Sequence, residues 1–105
     1  MMGLNKESMD WVVTRIENAL DALNDYPVLN IVGYHPSTHN TIIENMVNIM
    51  IIHERNEAID LKAAQLVETM CDLFIYHAIG HDNNDEDAFA KANEAHWKLC
   101  NWNSL

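Results

Sequence analysis

Two pairs of carboxylates lie in the most apolar part of the chain. Glu54 and Glu57 end an apolar segment that begins near Ile49, and Glu68 and Asp72 lie within the next apolar segment. Residues three or four apart share one face of a helix, so each pair can point to one place. A carboxylate that continues an apolar stripe is costly to desolvate unless it is paired or binds a cation. This spacing indicates paired or cation-binding carboxylates.

The composition favours a small acidic helical protein. The chain has 105 residues, enough for one domain, and only three Gly and two Pro, which favours helices over a turn-rich β fold. Its formal net charge of -10 argues against direct binding to nucleic acid or to an anionic membrane. The same charge allows divalent cations or a basic protein partner.

The spacing of apolar residues predicts an all-α domain of four helices. Their predicted bounds are about 5–24, 38–58, 61–79 and 85–100. Asp60 is predicted to cap the third helix and Gly80 to end it in the left-handed conformation. The second and third helices form a central hairpin that is apolar around most of its circumference. We therefore expect a homo-oligomer, most simply a dimer, to cover it.

The chain is expected to be a soluble cytoplasmic protein. Met1 to Ser8 lacks the basic start and apolar core of a signal peptide, and no apolar run approaches membrane-spanning length. Cys71 and Cys100 form no CxxC pair, and free thiols in a reducing compartment are the simplest interpretation.

The central hairpin resembles a known enzyme family. HERNEAID followed by LVETMCDLFIYHAIGHD is similar to the all-α nucleotide pyrophosphohydrolases of the MazG-like group, which carry ExxE on one helix and ExxD on the next. Glu54 and Glu57 match the first motif, and Asp72 matches the end of the second. Thr69 stands where the family has Glu, and Glu68 is the substitute that can share the face of Asp72.

The resemblance implies hydrolysis of a nucleoside triphosphate with release of pyrophosphate. The two carboxylate pairs would be the catalytic residues that hold Mg²⁺ or Mn²⁺. Lys91 and Asn93 match the last helix of the family, in which such residues contact phosphate, and Lys98 is a further candidate. Trp11 or Tyr76 could stack on the base. Members of the family are dimers or tetramers, which agrees with the expected oligomer.

Histidines offer a second metal-binding hypothesis. His77 and His81 have the i, i+4 spacing of helical metal ligands. In an antiparallel hairpin His39 could approach them, with Glu44 or Asp82 as a further ligand. Zinc or iron would suit such a set, although ordinary surface histidines are the simpler interpretation.

A non-enzymatic function remains the alternative to catalysis. An acidic helical interaction protein, such as an inhibitor or a mimic of nucleic-acid charge, agrees with the net charge of -10 and the small size. A mimic should display its carboxylates along exposed faces, whereas an enzyme needs them to converge.

Overall fold

The described part of the chain folds into four packed helices, which confirms the all-α prediction. The computed structural model describes residues 3–4, 6–26 and 35–101, with side-chain surroundings from residue 9 onward. The helices are α1 (Lys6–Asp25), α2 (Pro36–Glu54), α3 (Leu61–Asn83) and α4 (Glu86–Cys100). None of these helices is long and apolar enough to cross a membrane.

Two very short strands join the beginnings of α1 and α3. Strand β1 (Gly3–Leu4) pairs antiparallel with β2 (Ile59–Asp60). Ile59 is buried in the core, so the pairing also anchors the segment that leads into α3. The sequence predicts no strand here, since two-residue pairings leave no periodic pattern.

Aspartates begin both C-terminal helices, as the sequence predicted for Asp60. The Asp60 side chain accepts a hydrogen bond from the Lys62 backbone N–H, which satisfies one of the unpaired donors of the first turn of α3. The Asp85 side chain accepts hydrogen bonds from the backbone N–H groups of Asp87 and Ala88 at the start of α4.

The predicted glycine stop of α3 is wrong. The helix continues through Gly80 to Asn83, and Asn84 adopts the left-handed conformation with φ 50°. Gly80 is instead needed for packing, because a Cβ there would lie 2.7 Å from the Phe89 ring. The missing side chain lets α4 approach α3 closely.

The bounds of α2 also differ from the prediction. The helix begins at Pro36, a residue suited to the first helical turn, and ends at Glu54 rather than near residue 58. Asn56 has a positive φ of 55°, which the helical conformation does not allow. Glu57 therefore lies outside the helix that carries Glu54.

Helix α3 is the central element of the fold. Arg15 of α1 contacts Asp72, and Tyr26, the residue after α1, contacts Asp82, at sequence separations of 57 and 56 residues. A nearly constant separation means that α1 and α3 run parallel. The core between the helices is apolar and includes Met9, Ile16, Met46, Val67, Leu73 and Phe74.

Cys71 belongs to this core, whereas Cys100 is exposed, and both are free thiols. Burial raises the pKa of the Cys71 thiol to about 12, an effect that the nearby Arg15 charge only partly offsets. The thiolate form of Cys71 is therefore scarce at neutral pH, which makes this residue a structural one.

Candidate functional site

The polar side of α3 carries the second carboxylate pair. Glu68, Asp72 and Tyr76 follow one another at intervals of four residues and are all partly exposed. Such residues lie one above the other on a helix. We call these three residues the α3 stripe.

A cation from α1 contacts the middle of the stripe. Nη2 of Arg15 donates a hydrogen bond to Oδ1 of Asp72, and the two side chains are 28% and 33% exposed. The other carboxylate oxygen keeps its lone pairs, since a carboxylate offers about four acceptor positions. Asp72 can therefore hold Arg15 and accept a further cation.

A cation from α4 lies next to the end of the stripe. Nζ of Lys91 is 5.1 Å from the centre of the Tyr76 ring, within the range of a cation–π contact. Because Tyr76 is one turn beyond Asp72, the stripe has a positive charge from α1 beside its middle and another from α4 beside its end. The structure thus brings together predicted residues of α3 and α4.

Arg15 is the residue of this site that the sequence analysis missed. On α1 it adjoins the buried positions Val12, Ile16 and Ala19, so a charged group flanks the apolar stripe of the helix. A charged residue beside the apolar stripe of α1 was the sequence signal that could have identified Arg15. Its partner could not be deduced, because the pairing depends on the register between α1 and α3.

The first carboxylate pair lies elsewhere in the chain. Glu54 and Glu57 are exposed, one at the last turn of α2 and one beyond it. His39, in the first turn of α2, has its ring centre 6.1 Å from that of Phe74. At the other end of α2, His53, the neighbour of Glu54, contacts Asp10 of α1.

The two carboxylate pairs do not meet as a single metal-binding cluster among the described residues. Among the residues with described side chains, no group of three or more His, Cys, Asp or Glu could hold a metal ion. Of the four predicted carboxylates, only Glu68 and Asp72 lie on the surface that Arg15 and Lys91 also reach.

The remaining predicted ligand residues are spread over different surfaces. Asn93 is exposed and two residues from Lys91, so the two side chains leave α4 in different directions. Nζ of Lys98 lies 3.6 Å from Oε1 of Glu94 in an exposed ion pair. Trp11 is 53% exposed, so its ring is available to a ligand or to a partner.

A cavity of about 320 Å³ opens on another side of the bundle. Its polar side comes from the first turns of α2, including Thr41 and Asn45, and its apolar side includes Leu66 and Met70. Those two residues precede Glu68 and Asp72 by two positions, and residues two apart on a helix do not face the same way. The cavity is therefore separate from the α3 stripe.

Aromatic rings and histidines form a second cluster at the C-terminal end of α3. The Tyr26 ring stacks on His81 at 4.9 Å, and its hydroxyl donates a hydrogen bond to Asp82. This bond is the main cause of the raised pKa of Tyr26. Nε2 of His77 and Nε2 of His81 are 3.3 Å apart, and the Phe89 ring packs edge-on against both. Among the described side chains His39, the predicted third ligand, contributes to no three-ligand group.

Burial keeps His77 neutral. The residue is 5% exposed, and desolvation, followed by the proximity of His81, lowers its pKa below the usual 6.5. The Tyr26 backbone carbonyl has a smaller opposite effect on this pKa. Within the described part of the chain, however, the buried Nδ1 atom has no hydrogen-bond partner of acceptable geometry.

We expect acid to destabilise the protein through His77. Between the lowered pKa of the folded state and pH 6.5, the unfolded chain binds a proton at this ring that the folded chain does not. The contribution of this ring to stability is therefore complete above pH 6.5 and is lost as the pH falls through the folded-state pKa. Each tenfold difference in proton affinity between the two states corresponds to about 1.4 kcal/mol.

Urea unfolding at about pH 8 and about pH 5.5 measures this effect. The loss of stability between the two pH values should be smaller in His77→Gln than in the parent protein. His35→Gln is the control, because His35 is exposed and its side chain makes no cap hydrogen bond, and it should lose as much as the parent. Equal losses in the parent and in His77→Gln would contradict the assignment.

Comparisons with protein-family models, with curated proteins and with solved structures each gave no match to the chain.

Proposed function

We propose that the protein is a metal-dependent nucleoside triphosphate pyrophosphohydrolase that uses the α3 stripe. One observation carries the proposal: Asp72 and Tyr76, one turn apart, are in contact with Arg15 from α1 and Lys91 from α4. A magnesium nucleotide needs carboxylate oxygens for the metal and cations for the phosphates. This surface offers both within about one helical turn.

The donor set fits Mg²⁺ without a third protein ligand. Magnesium usually keeps several waters and is bound through one or two carboxylates together with substrate phosphates. Glu68 and Asp72 are partly exposed and four residues apart, so both can reach one hydrated ion. When bound there, the ion would neutralise the triphosphate charge and lower the pKa of a coordinated water.

The other residues of the site would position the substrate. Arg15 offers a planar guanidinium that suits phosphate oxygens as well as the Asp72 carboxylate. Lys91 can leave the Tyr76 ring for a phosphate, which would free that ring to stack on the base. The products would be pyrophosphate and a nucleoside monophosphate, and a nucleotide substrate implies a cytoplasmic location.

A homo-oligomer would add the first carboxylate pair. Val47 and Ile51 lie four residues apart on α2 and are 44% and 39% exposed, so this helix has an uncovered apolar edge. Burial of this edge by a second copy would stabilise a dimer. A second subunit could also bring its own Glu54 and Glu57 to the α3 stripe.

The test is a screen of the four ribonucleoside and four deoxyribonucleoside triphosphates for pyrophosphate release. We expect release from at least one of them with Mg²⁺ or Mn²⁺, and its loss with EDTA. The melting temperature should also rise with the metal and the preferred nucleotide, because ligands of the folded state stabilise it. No release from any of the eight would end the enzyme proposal.

The second candidate is an acidic interaction protein with a basic protein partner. It is favoured by the exposure of four acidic residues, whose carboxylates face solvent and do not converge on one site: Glu54, Glu57, Glu86 and Asp87. This function would be favoured if none of the eight nucleotides released pyrophosphate and if Mg²⁺ left the melting temperature unchanged. Its binding to a basic partner should weaken as salt is added, because exposed charges are screened.

A further inference from the structure

The histidine pair at the end of α3 is separate from the surface assigned to the nucleotide. His77 and His81 are one turn apart, with ring centres 4.5 Å apart and planes inclined by 70°. Their two Nε2 atoms approach each other to 3.3 Å. Two imidazole nitrogens thus lie side by side, at a place that the proposed hydrolysis does not use.

The distance between the two nitrogens suits a shared metal ion. Zinc binds histidine nitrogen at about 2.0–2.1 Å with tetrahedral angles, which places two ligating nitrogens about 3.3–3.4 Å apart. The observed 3.3 Å lies in this range, and the two nitrogens can also share a hydrogen bond at the same distance.

The surroundings hold both rings in place. Tyr26 stacks on His81 with an angle of 6° between the planes, and its hydroxyl bond to Asp82 keeps it there. Phe89 packs from α4 with its ring centre 5.0 Å from that of His81. A pair of ligands fixed in advance loses little rotamer entropy when a metal binds.

The two rings differ in their access to solvent. His77 is buried, and its Nε2 lies 3.3 Å from Nε2 of His81. His81 is exposed, which gives a metal ion access from solvent.

We propose that His77 and His81 form a two-histidine site for a divalent transition metal, of which Zn²⁺ is the best fit. Imidazole ligands select zinc, copper, nickel and cobalt over magnesium, so this site and the α3 stripe would take different metals. Among the described residues no third protein ligand completes a group, so water would fill the remaining positions of a bound ion. The site is therefore weaker than a structural zinc site with four protein ligands.

The test uses the full chain without a histidine tag. Calorimetric titration with Zn²⁺, and Co²⁺ absorption in the visible range, should show one metal ion per chain. His81→Gln is the deciding variant, because His81 is exposed and its replacement leaves the core intact. We expect it to weaken binding by about tenfold or more, and His77→Gln to do the same if it folds.

Two controls exclude other ligands. His53→Gln should bind the metal like the parent protein. Cys100→Ser should also keep the site, although Sγ of Cys100 lies 3.6 Å from Nε2 of His96 and could form a second chelate. Equal affinity in His81→Gln, or no binding by the folded parent at millimolar metal, would overturn the proposal. Pyrophosphate release with Mg²⁺ should be unchanged in His81→Gln. A negative result for the histidine site therefore leaves the nucleotide site standing, and the reverse also holds.

Discussion

Replacement of Asp72 by asparagine is expected to lower the rate of pyrophosphate release by about 100-fold or more. The amide keeps the shape of the side chain and can still accept a hydrogen bond from Arg15, but it loses the negative charge that a metal needs. The expected cost in folding free energy is only about 1 kcal/mol, because the ion pair is partly exposed. Rates over a range of Mg²⁺ concentrations, with urea unfolding on the same samples, measure both effects.

Asp21→Asn is the matched control for this experiment. Asp21 is an exposed aspartate of α1, so its replacement makes the same chemical change away from the α3 stripe. We expect the control to keep the parent rate. A similar loss of rate in both variants would mean that net charge, rather than the Asp72 carboxylate, controls the reaction. An undiminished rate in Asp72→Asn would remove this residue from the site.

Mixed subunits distinguish a site within one chain from a site shared between chains. If Glu54 completes the site of a partner subunit, Glu54→Gln should be slow, and mixing it with Asp72→Asn should restore part of the rate. If the α3 stripe acts alone, Glu54→Gln should keep the parent rate. Sedimentation of the parent protein establishes whether there is an oligomer to mix.

Replacement of Phe74 by alanine is expected to cost about 3–5 kcal/mol of folding free energy. Among the described side chains Phe74 is the largest that is fully buried, and it has no exposed surface. It also contacts the His39 ring, so the cavity would open beneath α2 as well as within α3. A loss of this size is a large part of the about 5–15 kcal/mol that holds a typical domain together. Urea unfolding followed by circular dichroism measures it.

Phe89→Ala is the matched control, because it makes the same change from phenylalanine to alanine at another position. Phe89 is only partly buried, so the same truncation should cost clearly less than at Phe74. Phe74→Leu should cost under about 1.5 kcal/mol, since it preserves most of the buried volume. If Phe74→Ala were no more destabilising than Phe89→Ala, the assignment of Phe74 to the centre of the core would be wrong.

The secondary structure and the inner faces of the helices could be predicted from the sequence. Met9, Val12, Ile16 and Ala19 recur at helical intervals, and all four are buried. Asp60 was predicted to cap α3 because a short acidic side chain accepts bonds from the first turn, and it does so. These features depend on residues close in sequence, which is why they can be predicted locally.

The predictions at Gly80 and Glu57 went wrong at helix ends. Gly80 has the local signature of a stop, yet Phe89 packs against it and the helix continues through it. Glu57 matches a helical ExxE motif, yet the turn at Asn56 separates it from α2. Where a helix ends depends on a small difference between two free energies, that of the local conformational preference and that of packing. The packing contribution is known only from the packed structure.

Residue patterns were enough to establish that this chain forms helices, which sides of them are apolar, and which side chains carry charge. The packed helices were needed to establish that Asp72 contacts Arg15, that Lys91 lies over Tyr76, and that Tyr26 stacks beside the histidine pair. This division arises because helical periodicity depends on intervals of three or four residues. Contacts between helices depend instead on their direction and register, which follow from the packing of all the core side chains together.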